Sequence, residues 1–215
     1  MKIALINPNT NPKTTEIMRQ IAQRNAPVEA KVVGFTAPYG APLITNAATL
    51  ADAAQAVAAL RDQLAGYDGV IVAAFGDPGL EHLREQLPCP VVGIAEASMR
   101  VAGADGRRFA VATTTPGLVA AIALRATQGG HMNFAGTWLT PGDPLAMMAN
   151  PDGLVEELYA ACMAAIAKGC AEAIIIGGGP LALAADALRD RLPVPVIAPI
   201  PEAIHLLHAR IKEAL

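Results

Sequence analysis

Four short stretches carry the groups able to meet a ligand: Asn7-Pro8-Asn9-Thr10, Ala74-Phe75-Gly76-Asp77-Pro78-Gly79, Thr113-Thr114-Thr115 and Gly177-Gly178-Gly179-Pro180. Asn and Thr side chains supply neutral donors and acceptors. Glycine-rich turns ahead of a helix expose backbone N–H groups, and the helix dipole adds partial positive charge there. Such a set suits a small carboxylate or a cyclic ureide. Asp77 is the one titratable side chain in these stretches, which makes it the candidate for a direct chemical role. Its structural alternative is the N-cap of a helix opening at Pro78-Gly79. Asn9, Gly76, Thr113, Thr114 and Gly179 are the candidate ligand contacts.

A duplication positions these turns. Residues 66–97 run parallel to residues 169–203, and residues 3–10 line up with 109–116. Each copy reads as an apolar strand, a turn rich in Gly, Asn or Thr, a helix, a Pro-X-Pro and another strand ending in Glu-Ala. In the first copy the spacing predicts strands over 2–7, 29–35, 70–74 and 91–94, with helices over 13–24, 48–65, 79–86 and 96–102. In the second it predicts strands over 108–113, 133–139, 173–176 and 194–198, and helices over 116–127, 151–168, 181–190 and 201–213.

Strands alternating with helices imply right-handed βαβ units and parallel sheets. The expected fold is α/β, with two pseudo-symmetric flavodoxin-like lobes of about four parallel strands each. The lobes are expected at 1–98 and 99–215, with the terminal helix packing back on the first. Ligands of such sheets sit beyond the strands' carboxyl ends, where strand order reverses. A pseudo-twofold axis then brings all four turns around one cavity, with loops 36–47 and 140–150 as its walls.

The chain has 215 residues, of which 53% are hydrophobic and only 4% aromatic, so its core is built from Ala, Val, Ile and Leu. That mixture suits strands buried on both faces. A net charge of −3 offers no field for nucleic acid or an acidic membrane surface. No apolar run approaches the roughly 18 residues of a membrane span, and the start, with a single Lys and four apolar residues before Asn-Pro, is too short for a signal peptide's apolar region. Three cysteines without metal-ligand spacing point to a cytoplasmic chain with reduced thiols. The Gly-Gly-Gly-Pro turn lacks the dinucleotide fingerprint and no phosphate-loop lysine is present, so no nucleotide cofactor or metal is expected. The expected partner is the small ligand itself, with a homo-oligomer left open.

Five motifs, INPNT at 6–10, FGDPGL at 75–80, VVGIAEA at 91–97, VATTT at 111–115 and AIIIGGG at 173–179, resemble the aspartate/glutamate/hydantoin racemase superfamily, closest to its hydantoin and allantoin racemase branch. The resemblance covers the whole chain in order. It implies two lobes and cofactor-independent proton transfer at a carbon acidified by a neighbouring carbonyl. It also implies a cysteine just before FGDPG and another in the second glycine-rich turn, one thiolate removing a proton and the opposite thiol returning one. The matching positions here are Ala74 and Gly178.

The remaining cysteines are expected in buried packing. Cys89 lies between two prolines, Cys162 within a helix and Cys170 before a strand, all away from the turns. Glu96 and Glu202 open helices, where a carboxylate stabilises the dipole. His82, His131, His205 and His208 read as solvated or capping residues, and Tyr39 and Asn46 as loop residues that contact ligand or pack a lid.

Overall fold

A computed structural model describes residues 1–148 and 150–214. The first sheet contains β1 (Lys2–Asn7), β2 (Lys31–Thr36), β3 (Gly69–Val72) and β4 (Val91–Gly93), in the order β2-β1-β3-β4. The second repeats it with β5 (Phe109–Thr113), β6 (Phe134–Leu139), β7 (Ala173–Ile176) and β8 (Val196–Ile197), ordered β6-β5-β7-β8. All pairs are parallel. In each sheet the order reverses beside its first strand, so β1 and β3 end side by side, as do β5 and β7. Strands β3, β5 and β7 are buried along their whole length. Their continuous aliphatic runs follow from having covered faces.

The helices are α1 (Pro12–Asn25), α2 (Ala47–Ala58), α3 (Leu80–Gln86), α4 (Ile94–Ala102), α5 (Val119–Gln128), α6 (Pro144–Met148), α7 (Pro151–Gly169), α8 (Ala182–Leu188) and α9 (Pro199–Glu213). Asn11 caps α1 by accepting from the Lys13 and Thr14 N–H groups, and Pro12 occupies the position where a missing N–H costs nothing.

Several boundaries differ from the sequence reading. The expected strand 194–198 shrinks to two residues, because Pro193 and Pro195 bring no ladder N–H. The expected helix 48–65 stops at Ala58 and resumes as a single 3₁₀ turn, Arg61–Leu64. The segment 140–150, expected as loop, contains α6; residue 149 lies outside the described residues.

Two helices tie the sheets together. Ile200, Ala203, Ile204 and Leu207 of α9 pack on Ile3, Leu5 and Ile71 of the first sheet. From α4, Ala95, Met99 and Ala102 join Phe109, Val111 and Ile175 of the second. The division expected at 98/99 thus falls inside α4, a helix whose apolar residues face both lobes. Gly69 lets α9 approach, since a Cβ there would sit 2.8 Å from Leu207 Cδ1.

Candidate functional site

The turns after β1, β3, β5 and β7 converge on one cavity. Asn9 comes from the first, Ala73–Phe75 from the second, Thr113–Thr115 from the third and Gly177–Gly179 from the fourth. Leu43 and Ile44 close one side, and Leu118, Ile122 and Leu181 another. The space open to the centres of water molecules in this cavity is about 50 Å³. That is several times the ~10–15 Å³ one ordered water needs.

Of the sequence candidates, Asn9, Ala74, Thr113, Thr114, Gly178 and Gly179 line this space, whereas Gly76 and Asp77 do not. The apolar lining Leu43, Ile44, Leu118, Ile122 and Leu181 went unnamed, because residues of this kind read as ordinary core. One wall does come from loop 36–47, but no described residue of 140–150 lines the cavity; the start of α5 provides the opposite wall instead. Tyr39 is half exposed, and Asn46 is occupied as the N-cap of α2, accepting from the Thr49 N–H at 3.0 Å.

Hydrogen bonds fix the polarity of the lining. Asn9 Oδ1 accepts from Asn7 Nδ2 at 2.8 Å and from the Asn11 N–H at 2.9 Å, while Asn7 Oδ1 accepts the Asn9 N–H at 3.2 Å. Asn7 is itself held by Thr15 Oγ1 and the Asn11 carbonyl, each at 3.0 Å. Asn9 thereby keeps its NH₂ as a donor, with no protein acceptor among the described residues. Thr113 Oγ1 donates to the Gly177 carbonyl at 2.7 Å, joining the turns after β5 and β7. Its single proton is then spent, so Thr115, 3.2 Å away, is the donor between the two hydroxyls. Both threonines are left with lone pairs only.

Asp77 has a different occupation. Its carboxylate accepts the Ala95 and Glu96 N–H groups at 2.8 Å each, capping α4 from outside the helix. It also pairs with Arg125 Nη2 at 3.2 Å. The expected cap of its own helix is absent: Gly79, with φ 77°, stands at the start of α3. The Asp77 backbone is left-handed, with φ 51°, a conformation Asp tolerates better than most residues, and this turns its side chain away from the cavity. A Cβ at Gly93 would overlap the carboxyl, so that glycine admits it. Burial pushes the Asp77 pKa up to about 6, against the lowering effects of Arg125 and the two N–H groups. Arg125 was legible in principle: it follows the buried Ile122 by three residues, a cation on the apolar side of α5.

The other titratable groups lie elsewhere. Burial works to raise the Glu96 carboxyl, but Arg210 at 2.7 Å and Arg84 outweigh it and hold the group below its usual range. Cys162 is buried and its thiol is pushed up to about 12 by desolvation. Cys89 is half-buried and also raised by burial. Cys170, expected buried, is exposed, because it terminates α7 in a left-handed conformation at the surface. Among the described residues, no cysteine or histidine lines the cavity. Among the described residues, no group of three His, Cys, Asp or Glu is arranged to hold a metal, and no helix is long and apolar enough to cross a membrane.

Two parallel sheets sharing one cleft at paired strand ends define a two-lobed α/β ligand-binding scaffold. The sequence profile of the family described as Asp/Glu/Hydantoin racemase matches residues 3–207, and the chain belongs to that family. Within it, similarity falls on the hydantoin and allantoin racemases. A hydantoin racemase of Pseudomonas sp. (strain NS671) is 30% identical over 203 residues, covering 92% of this chain and 80% of the relative. The structure of an allantoin racemase from Klebsiella pneumoniae superposes with a TM-score of 0.90 at 32% identity, over 100% of this chain and 89% of that one. A second allantoin racemase, from Pseudomonas fluorescens, gives a TM-score of 0.93 at 29% identity, over 100% and 92%.

Proposed function

We propose that this chain is a ligand-binding member of the racemase family that holds a small cyclic ureide or carboxylate in the cleft and does not racemise it through two thiols. One observation carries the reading: among the described residues, none that lines the cavity carries an ionisable side chain. Stereochemical inversion by proton transfer needs an acid and a base on opposite faces of the carbon, each titrating near the working pH. At the two positions matching the family's cysteines, Ala74 and Gly178 offer a methyl group and a bare backbone.

The hydrogen-bond polarity favours a ureide over a carboxylate. Asn9 presents a donor and the Thr113–Thr115 pair presents acceptors, so the matching ligand carries both a carbonyl and an N–H. Among the described residues, no cationic side chain lines the cavity to neutralise a carboxylate. The three unpaired cysteines fit a cytoplasmic setting.

The test is incubation with allantoin, 5-substituted hydantoins, L-aspartate and L-glutamate in D₂O. A ureide is expected to raise the melting temperature, with no α-proton exchange by NMR beyond the buffer rate. Exchange by the unaltered protein, or no stabilisation by any of these compounds, would overturn the reading. In Ala74→Cys/Gly178→Cys, exchange is expected to appear. Position 178 has extended backbone, φ 163°, and a Cβ there meets Leu181 Cδ1 at 3.2 Å, so a small shift of that leucine accommodates cysteine.

A further inference from the structure

The segment between β2 and α2 crosses from one lobe to the other over the cavity. At its start, the Ala37 N–H donates to the Asn7 carbonyl at 2.9 Å, and the Ala41 carbonyl accepts the Thr10 N–H at 3.1 Å. Both bonds tie it to the turn that carries Asn9. Leu43 and Ile44 then form cavity wall, and Ile44 is buried in a cluster with Leu118, Ile122 and Phe109 of the second lobe. Its far end reaches the second lobe's backbone, where Asn46 makes a parallel bridge with Gly117.

That last contact depends on a missing side chain. A Cβ on Gly117 would lie 2.5 Å from the Thr45 carbonyl oxygen and 3.1 Å from Asn46 Cα. Gly117 is not among the residues with positive φ, so its own backbone does not call for glycine. What calls for glycine is the approach of the neighbouring segment. Gly117 also immediately precedes Leu118 on the opposite wall, so the same contact sets the spacing of both apolar walls.

We propose that residues 41–46 are a strap closing the cavity, and that Gly117 is the latch that seats it and positions Leu43 and Ile44. The inference goes beyond ligand binding and does not depend on what the ligand is. Opening the latch releases the Ile44 end, while the Ala41 end stays bonded to Thr10 and serves as the pivot.

The experiment needs no ligand. Ala74→Cys places a thiol in the cavity, and its alkylation by iodoacetamide, read by peptide mass spectrometry, reports access; Cys170 in the same sample calibrates the reagent. Adding Gly117→Ala is expected to raise alkylation at residue 74 at least tenfold. Amide hydrogen exchange over 41–46 should accelerate similarly, with residues 109–113 unchanged. An unchanged rate at either residue 74 or 41–46 overturns the proposal, as does acceleration that extends to 109–113. If Gly117→Ala does not fold, Ile44→Ala unpins the same strap and is judged by the same two readouts and the same control. A failure here leaves the ureide reading intact, and a failure to bind ureides leaves the strap intact.

Discussion

The turns after β3 and β7 occupy equivalent places in the two sheets and are held by opposite means. In the first lobe a buried carboxylate, Asp77, reaches out to the N-terminus of α4 and to Arg125. In the second lobe the position at the same offset is Leu181, which packs into an aliphatic cluster with Ala184, Ala185 and Leu188. The helices that follow diverge in parallel. Glu96 on α4 is clamped by Arg84 and Arg210, whereas among the described residues the Glu202 side chain on α9 meets only the ring of exposed His205, at 3.5 Å. The duplication preserved where the backbone goes, and the chemistry fixing each turn changed. A polar anchor specifies direction through its hydrogen bonds, while an apolar one specifies little beyond burial.

Replacing the polar anchor should therefore do the most damage. Asp77→Ala is expected to cost about 3–5 kcal/mol, since it strands a largely buried Arg125 and two helix N–H groups. Urea unfolding measures this, and a loss below that of Leu181→Ala would break the contrast. Leu181→Ala, a buried large-to-small change, should cost about 2–4 kcal/mol and enlarge the cavity without changing its polarity.

The pH dependence sharpens the comparison further. The folded-state pKa of Asp77 is raised to about 6, so the stability tied to its neutral form is complete below its unfolded value near 4 and is lost as pH rises through about 6. Unfolding of the protein and of Asp77→Asn at a series of pH values should show the difference between them moving against the protein from pH 4 to 6. A constant difference would mean that Asp77 titrates normally. Glu96 has the opposite sign: its lowered pKa gives stability that is present at neutral pH and lost on acidification. The smallest effect belongs to Glu202→Gln, expected within about 0.5 kcal/mol because its partner is exposed. A larger loss would show that the second lobe has a carboxylate anchor after all.

How much of this the chain announces depends on the range of the interaction. Strands such as Ala173–Ile176 were legible to the residue, because a strand buried on both faces must be a continuous apolar run. The four turns and the polar candidates Asn9, Thr113 and Thr114 were legible because the sequence repeats. The direction of Asp77 was not, since it depends on a left-handed residue and on an acceptor-hungry helix start eighteen residues away. Nor was the contact of Gly117 with Thr45 and Asn46, which joins segments some seventy residues apart in sequence.

Local rules acting within a few residues, namely apolar periodicity, proline's missing N–H and asparagine capping, determined from sequence the eight parallel strands and the place of a cleft at their ends. Only the tertiary structure decided that α4 faces both lobes, that the acidic residue beside the cleft supports a helix instead of entering it, and that a first-lobe segment packs against the second. These follow from long-range packing. Its partners are chosen by shape and unsatisfied hydrogen bonds once the sheets have met, and no spacing along the chain records that choice.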